Sequence, residues 1–294
     1  TPQGAANILW SLTQLGEKPM DVFLEDLEST IEHQSYRFSS QAISIILWSY
    51  AKLSMNPSSA MQKALEARIA HSSHEFTAQS VANCLWALSK FKRHPQGRVM
   101  KALKEQIVRK YKLLNLQGTV NALWALSRFA QHPVGRLTRA VTFSISRQHV
   151  ASSNASSSII SKSADLEEEI IRLLYNRAVD LEAKWTPQTI SSMLWSIARS
   201  PIPGMQANKR RMIHILENAA IRHQNDFSSC HISITLWSFA KLAYRPTKTF
   251  LHNFDKPVRN AIQLLKEDEH KSLIWAMEVL GWRIDNATSR YINE

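Results

Sequence analysis

Residues Phe76–Phe91 read F-T-A-Q-S-V-A-N-C-L-W-A-L-S-K-F, and the chain returns to that pattern along its length. A Leu-Trp or Ile-Trp pair ends on Trp10, Trp48, Trp86, Trp124, Trp195, Trp237 and Trp275, at spacings of 38, 38, 38, 71, 42 and 38 residues. Seven of the nine tryptophans therefore keep one ruler, which marks a tandem-repeat architecture.

Aligned on Trp, the copies show a helix start. Nine positions earlier stand Thr1, Ser39, Thr77, Asn115, Thr186 and Ser228, all residue types whose side chains cap free N–H groups. Pro2 and Pro187 follow at the first helical position, where the missing N–H is no loss. Phe38 with Ile43, Phe76 with Val81, Trp185 with Ile190 and Phe227 with Ile232 have the spacing of hydrophobic staples. Pro19, Pro57, Pro95, Pro133 and Pro246 recur nine residues after Trp and are read as opening a second helix. Amphipathic segments such as MQKALEARIA and RVMKALKEQIV supply it. The expected fold is all-α, an α-solenoid of about seven stacked two-helix hairpin repeats.

Two irregularities set the expected domain map. Between Trp124 and Trp195 lie 33 residues beyond the regular period, including VASSNASSSIISKS. Residues 1–147 are assigned to repeats one to four, 148–164 to a Ser-rich loop insertion, and 165–294 to repeats five to seven with a degenerate C-terminal cap. Val134–Arg147 and Asp165–Lys184 both read as second helices, either one helix split in two or a repeat lacking its first helix. The chain begins on a helix cap, so further repeats are expected before Thr1.

At about 100° per residue, positions five, two and one before Trp and two and five after it share one arc. In the third copy these are Val81, Cys84, Leu85, Leu88 and Phe91, the expected core face. Small residues flank it, Ala87, Ala125 and Ser196 on one side and Ala82, Ser89, Ser127 and Ala198 on the other, so neighbouring first helices are able to approach closely.

The stripe opposite the core holds Trp and three further positions. Seven before Trp stand Gln3, Gln41, Gln79, Gln117 and Gln188; three before, the residue varies among Asn7, Ile45, Asn83, Asn121, Ser192, Ile234 and Ser272. Four after Trp come Lys52, Lys90, Arg128, Arg199 and Lys241, cations in five of the seven copies. Lys52, Lys90, Arg128, Arg199 and Lys241 are the candidate RNA phosphate-binding residues. Asn7, Asn83, Asn121, Ser192, Gln41, Gln79, Gln117 and Gln188 are the candidate base-contacting ones. The invariant Trp is read first as packing and second as a base-stacking platform. A cation near a helix C-terminus also complements the helix dipole. A second set of cations, Arg98, Lys101, Lys104, Arg109, Lys110, Lys112, Arg136, Arg139, Arg147 and Lys209 to Arg211, is assigned to the outer faces of second helices.

The rest of the composition narrows the function. A formal charge of +12 points to a polyanionic partner. No apolar run approaches the roughly 18 residues of a membrane span, so no membrane partner is expected. Cys84 and Cys230 are too few for a disulfide framework or a Cys-rich zinc site. His71 and His74 lie in an expected inter-repeat loop without a partner cluster, and no metal or cofactor is assigned. P-loop, dinucleotide, nucleophile-elbow and zincin motifs are all absent from the sequence, which is read as non-enzymatic with no catalytic residue.

Trp185–Arg199, W-T-P-Q-T-I-S-S-M-L-W-S-I-A-R, together with Phe76–Phe91, resembles the octotricopeptide repeat. That family has a helical hairpin of the same period, and its first helix reads approximately F-S-P-Q-x-L-A-N-x-L-W-A-L-A-R-L. The chain is similar, more distantly, to heptatricopeptide repeats and to the helical regions of FAST-kinase-like proteins. The resemblance implies an organellar protein, of chloroplast or mitochondrion, that binds single-stranded RNA in RNA stability, processing, splicing or translation. By analogy with other helical-repeat readers it takes about one nucleotide per repeat. Its alternatives are an architectural subunit of a mitochondrial ribosome or other organellar RNA–protein particle, and the non-catalytic part of a RAP-domain nuclease-like protein. The chain departs from the family in keeping one proline where the family has P-P-P-E-W. The ending LGWRID only begins to resemble a RAP domain.

Overall fold

The computed structural model describes residues 1–131, 156–200 and 206–282. Among these it is all-α, with thirteen α-helices and short 3₁₀ turns. In the first six copies the expected cap residue begins the first helix. Thr1, Ser39, Thr77, Asn115, Thr186 and Ser228 accept from the backbone N–H three residues on, at 3.2, 3.2, 3.1, 2.8, 3.4 and 3.4 Å. Thr186 and Thr189 complete a reciprocal capping box.

The described residues divide into two compact units. The first contains α1 (Pro2–Leu15), α2 (Asp21–Gln34), α3 (Ser40–Lys52), α4 (Ser59–Ser72), α5 (Ala78–Lys90), α6 (Gly97–Lys110), α7 (Leu116–Gln131) up to Phe129, and α8 (Ser156–Asp180). Here the odd-numbered first helices pack on one another, as α1 on α3 and α3 on α5. The second helices form their own layer, α2 on α4, α4 on α6 and α6 on α8. The second unit contains Ala130, Gln131, α9 (Pro187–Arg199), α10 (Gln206–Arg222), α11 (Ser229–Lys241), α12 (Lys248–Leu264) and α13 (Glu267–Leu280). Its first helices α9, α11 and α13 stack in order, with α10 on α12 behind them. Each unit is thus a short stack of hairpins in two layers, the solenoid pattern.

The core lies between the two layers. Val81, Cys84, Leu85, Leu88 and Phe91 are all buried, as their arc requires. The flanking small residues Ala82, Ala87, Ser89, Ala125, Ser127 and Ser196 are buried as well. Ser89 and Ser127 each donate to the carbonyl of the Trp three residues earlier, at 2.7 Å, so these hydroxyls enter the seam already satisfied.

The structure revises three expectations. Proline does not open the second helix: Pro19, Pro57, Pro95 and Pro246 stand one residue ahead of the N-caps Met20, Ser58, Gln96 and Thr247. A 3₁₀ turn, Ser35–Arg37 or its equivalents, precedes the cap of most first helices, and the repeat motif carries no sign of it. The helix α8 begins inside the stretch assigned to the Ser-rich loop, and the units divide at Asp180 and Leu181. Leu166, Ile170 and Leu174 recur at spacings of four, a helical face that outweighs the serines' weak preference for loops. Because α8 packs on α6, it occupies the place of the fourth repeat's second helix. Arg177 Nε donates to Leu114 O at 2.9 Å and Glu167 pairs with Lys104, tying it there. Val134–Arg147 and Pro133 lie outside the described residues.

A carboxylate joins successive second helices at three places. Glu28 accepts from Ser58 N (3.2 Å), Glu66 from Gln96 N (3.1 Å) and Glu217 from Thr247 N (2.6 Å), always thirty residues apart. Each carboxylate thereby satisfies the amide of the next helix's N-cap residue, just beyond the proline. Glu66 and Glu217 are fully buried and take further bonds, from Arg93 Nη2 at 2.7 Å and from Tyr244 Oη at 2.6 Å.

Glu66→Ala leaves the Gln96 N–H and the Arg93 guanidinium without their acceptor, so a loss of about 2–3 kcal/mol is expected in urea unfolding. Among the described residues, the one six after Trp closes the first helix in left-handed backbone in four copies: Gly16 and Gly281, but also Ser54 (φ 57) and Ala243 (φ 50). Ala243→Gly removes a Cβ from that conformation and is expected to stabilise the protein by about 0.5–1 kcal/mol, read as a higher urea midpoint.

Candidate nucleic-acid interface

Lys52, Lys90, Arg199 and Lys241 are each the last residue of a first helix, and Arg128 lies in the last turn of α7. Their charges meet the negative end of the helix dipole, so part of this column's logic is local. Burial between helices would have removed them from any ligand, but Lys52, Lys90, Arg128 and Lys241 are exposed and Arg199 is half-buried. Arg128 Nε donates to Ser89 O at 3.1 Å, which holds the guanidinium across to the preceding first helix. Arg199 Nη1 donates to Gln131 Oε1 at 2.7 Å.

Behind the cations lie the tryptophans. Trp48, Trp86, Trp124, Trp195 and Trp237 are half-buried, while Trp10 and Trp275 are 48% and 40% exposed. They are therefore not core residues: they pack laterally, and the Trp86 and Trp124 ring centroids are 6.3 Å apart. Cations sit over these rings. Lys90 Nζ lies 4.4 Å from the Trp124 centroid, and the Arg128 and Arg199 guanidinium carbons lie 5.0 and 4.8 Å from the rings of Trp124 and Trp195. Although the Lys90 side chain is exposed overall, its ammonium has lost water against the indoles. That desolvation lowers its pKa, and the like charges of Arg128 and Lys52 push the same way. Lys52 and Arg128 thus act on Lys90 from the two neighbouring repeats.

The amide positions pair among themselves. Gln3 donates to Asn7 at 3.0 Å, Gln79 to Asn83 at 3.0 Å and Gln117 to Asn121 at 2.8 Å, one turn apart on the helix. This arrangement engages the Asn carbonyl oxygen and directs the remaining Asn amide donors elsewhere. Asn7, Gln41, Gln117 and Gln188 are exposed, while Asn83, Gln79 and Ser192 are half-buried. Asn121 is only 8% exposed and tied by Gln117, so of the candidate base-contacting residues it is the one withdrawn from solvent. A Cβ on Gly118 would come within 2.8 Å of Gln79 Oε1, so this glycine leaves room for the amide of the preceding repeat.

Several outer cations have structural work. Lys104 pairs with Glu167, Lys110 Nζ donates to His74 O at 2.8 Å, and Lys209, 7% exposed, donates to Ser200 O at 2.7 Å. Arg98, Lys101, Arg109 and Lys112 remain on the surface. His71 lies in the last turn of α4 rather than in a loop, and His74 sits in the following 3₁₀ turn. No group of three or more His, Cys, Asp or Glu among the described residues is placed to hold a metal ion. No helix among them is long and apolar enough to cross a membrane.

The sequence motif led to the cation column and the amide positions, but not to the pairing of the amides, the ring contacts or the bond from Arg128 to the neighbouring helix. No protein-family model matches the chain, and no curated protein matches it.

The Lys90 ammonium is expected to titrate below the ordinary lysine range in Nζ-detected NMR. Arg128→Gln should move that midpoint upward, and a polyanion bound along the column should raise it too, because each favours the charged form. An unshifted Lys90 that ignores Arg128→Gln contradicts the coupled column.

Proposed function

We propose that this protein binds single-stranded RNA along the first-helix stripe of each unit and acts in organellar RNA stability, processing, splicing or translation. The observation that carries the reading is the solvent-facing column of Lys52, Lys90 and Arg128, one cation from each of three successive repeats, flanked by side-chain amides. A phosphodiester strand meets regularly spaced positive charge there, and unpaired bases meet Asn and Gln groups able to donate and accept. The resemblance of the repeat motif to the octotricopeptide family supports the organellar setting and the RNA partner. Nothing in this reading requires catalysis or a cofactor.

Arg98, Lys101 and Arg109, exposed on α6, favour a second reading, an architectural subunit of an organellar RNA–protein particle such as a mitochondrial ribosome. It differs from the first in predicting that the protein still sediments with the particle after RNase treatment.

The test is fluorescence anisotropy with an unstructured RNA oligomer over a salt series. Lys52→Glu, Lys90→Glu and Arg128→Glu together should weaken binding. They should also flatten the slope of log K against log salt by about 2, at roughly 0.7 for each phosphate no longer neutralised. An unchanged affinity and slope would remove the stripe from RNA binding.

A further inference from the structure

Both units repeat one arrangement of rings and cations. In the first, Lys90 Nζ lies 5.4 Å from the centroid of Trp86 and 4.4 Å from that of Trp124, so one ammonium bridges the tryptophans of two successive repeats. In the second, the Arg199 guanidinium carbon lies 4.8 Å from Trp195 and 5.4 Å from Trp237. The register is identical: the bridging cation stands four residues after one Trp and reaches the Trp of the next repeat. Arg128 adds a further cation over Trp124, at 5.0 Å, with its Nε fixed by Ser89 O.

This occupancy bears on what the rings are able to do. A base stacking on one of these faces has to displace a cation that the ring quadrupole already holds. A phosphate does not compete for the ring face: it meets the cation from the solvent side and leaves the cation–ring contact intact. The ring also keeps a long, flexible side chain from wandering, so less conformational freedom is lost when the phosphate arrives. The column's composition agrees. Lys and Arg interchange at the cation position, as expected for a phosphate contact, and Trp never varies among the seven copies. Gln14 and Val279 replace the cation in the first and last copies, and the position three before Trp ranges over Asn, Ile and Ser.

We infer that the tryptophan column is a rack that holds cations for the RNA phosphodiester backbone, and that Trp86, Trp124, Trp195 and Trp237 are positioning residues rather than base-stacking platforms. The inference rests on the RNA-binding reading above and specifies which part of the strand this column takes. It makes the column blind to base identity and leaves base discrimination to Asn7, Asn83, Ser192 and their neighbouring glutamines. Lys52 and Lys241, exposed and outside such ring contact among the described residues, are phosphate contacts without a rack.

The experiment compares an oligouridine with an abasic ribose-phosphate oligomer of the same length, using wild type, Trp124→Leu, Trp124→Phe and the double variant Lys90→Gln/Arg128→Gln. The expected result is that the two ligands bind wild type within about threefold of each other. Trp124→Leu should lose affinity for both equally, by a factor approaching that of the double variant. Trp124→Phe keeps an aromatic packing surface with a weaker hold on the cation, so it should fall between, with its circular dichroism unchanged. One stacked base contributes about tenfold or more. If oligouridine binds tenfold or more tighter than the abasic strand and Trp124→Leu closes that gap, the rack is overturned while RNA binding stands. If Trp124→Leu folds and loses nothing with either ligand, the rack is overturned as well. If neither ligand binds wild type, the RNA-binding reading itself fails.

Discussion

Close lateral packing of the first helices is the constraint on which the rest of this structure depends. Ala87, Ala125, Ser196 and their neighbours are buried in the seam, and Ser89 and Ser127 bond within their own helices. Ser44 Oγ meets Ser80 Oγ at 3.3 Å from α3 to α5, while Ser49 Oγ on α3 is buried without a hydrogen-bond partner. Small side-chain volume therefore sets the approach, and the helices come close enough for side chains of one repeat to reach the next. Lys90 over Trp124 and Arg128 on Ser89 O are consequences of that approach.

The two layers handle charge in opposite ways. In the second-helix layer Glu66 and Glu217 are buried, and each is committed to the cap amide of the next second helix. Lys104, Lys110 and Lys209 are likewise drawn into structural bonds. In the first-helix layer Lys52, Lys90, Arg128 and Lys241 stay at the surface, and Lys90 and Arg128 lie over rings that attract them. The chain's net charge of +12 is therefore distributed unevenly in function. One layer uses charge to hold repeats in register, and the other presents it.

Much of this was legible beforehand because the motif recurs. The caps from Thr1 to Ser228, the core arc through Val81 and Leu88, and the exposed cation stripe follow from helical periodicity, which one strand of sequence carries in full. The Glu carboxylates had a readable signal as well, an invariant spacing of thirty residues to the residue after proline, but only the bond gives that spacing meaning. The burial of Asn121 had none, since Asn83 at the same position in the preceding repeat is half-buried. The Ser-rich stretch misled because serine content favours loops, whereas α8 extends back to Ser156.

By itself, then, the sequence determined what is periodic: the all-α hairpin, its start signals, its core face and the stripe that faces away from the core. Those properties depend on residue type and on angular position around a single helix. Tertiary structure alone decided what lies between repeats: which cation reaches which ring, which carboxylate closes which helix, and where one compact unit ends. Contacts of that kind depend on the distance between helices, set by the volume and polarity of the residues in the seam.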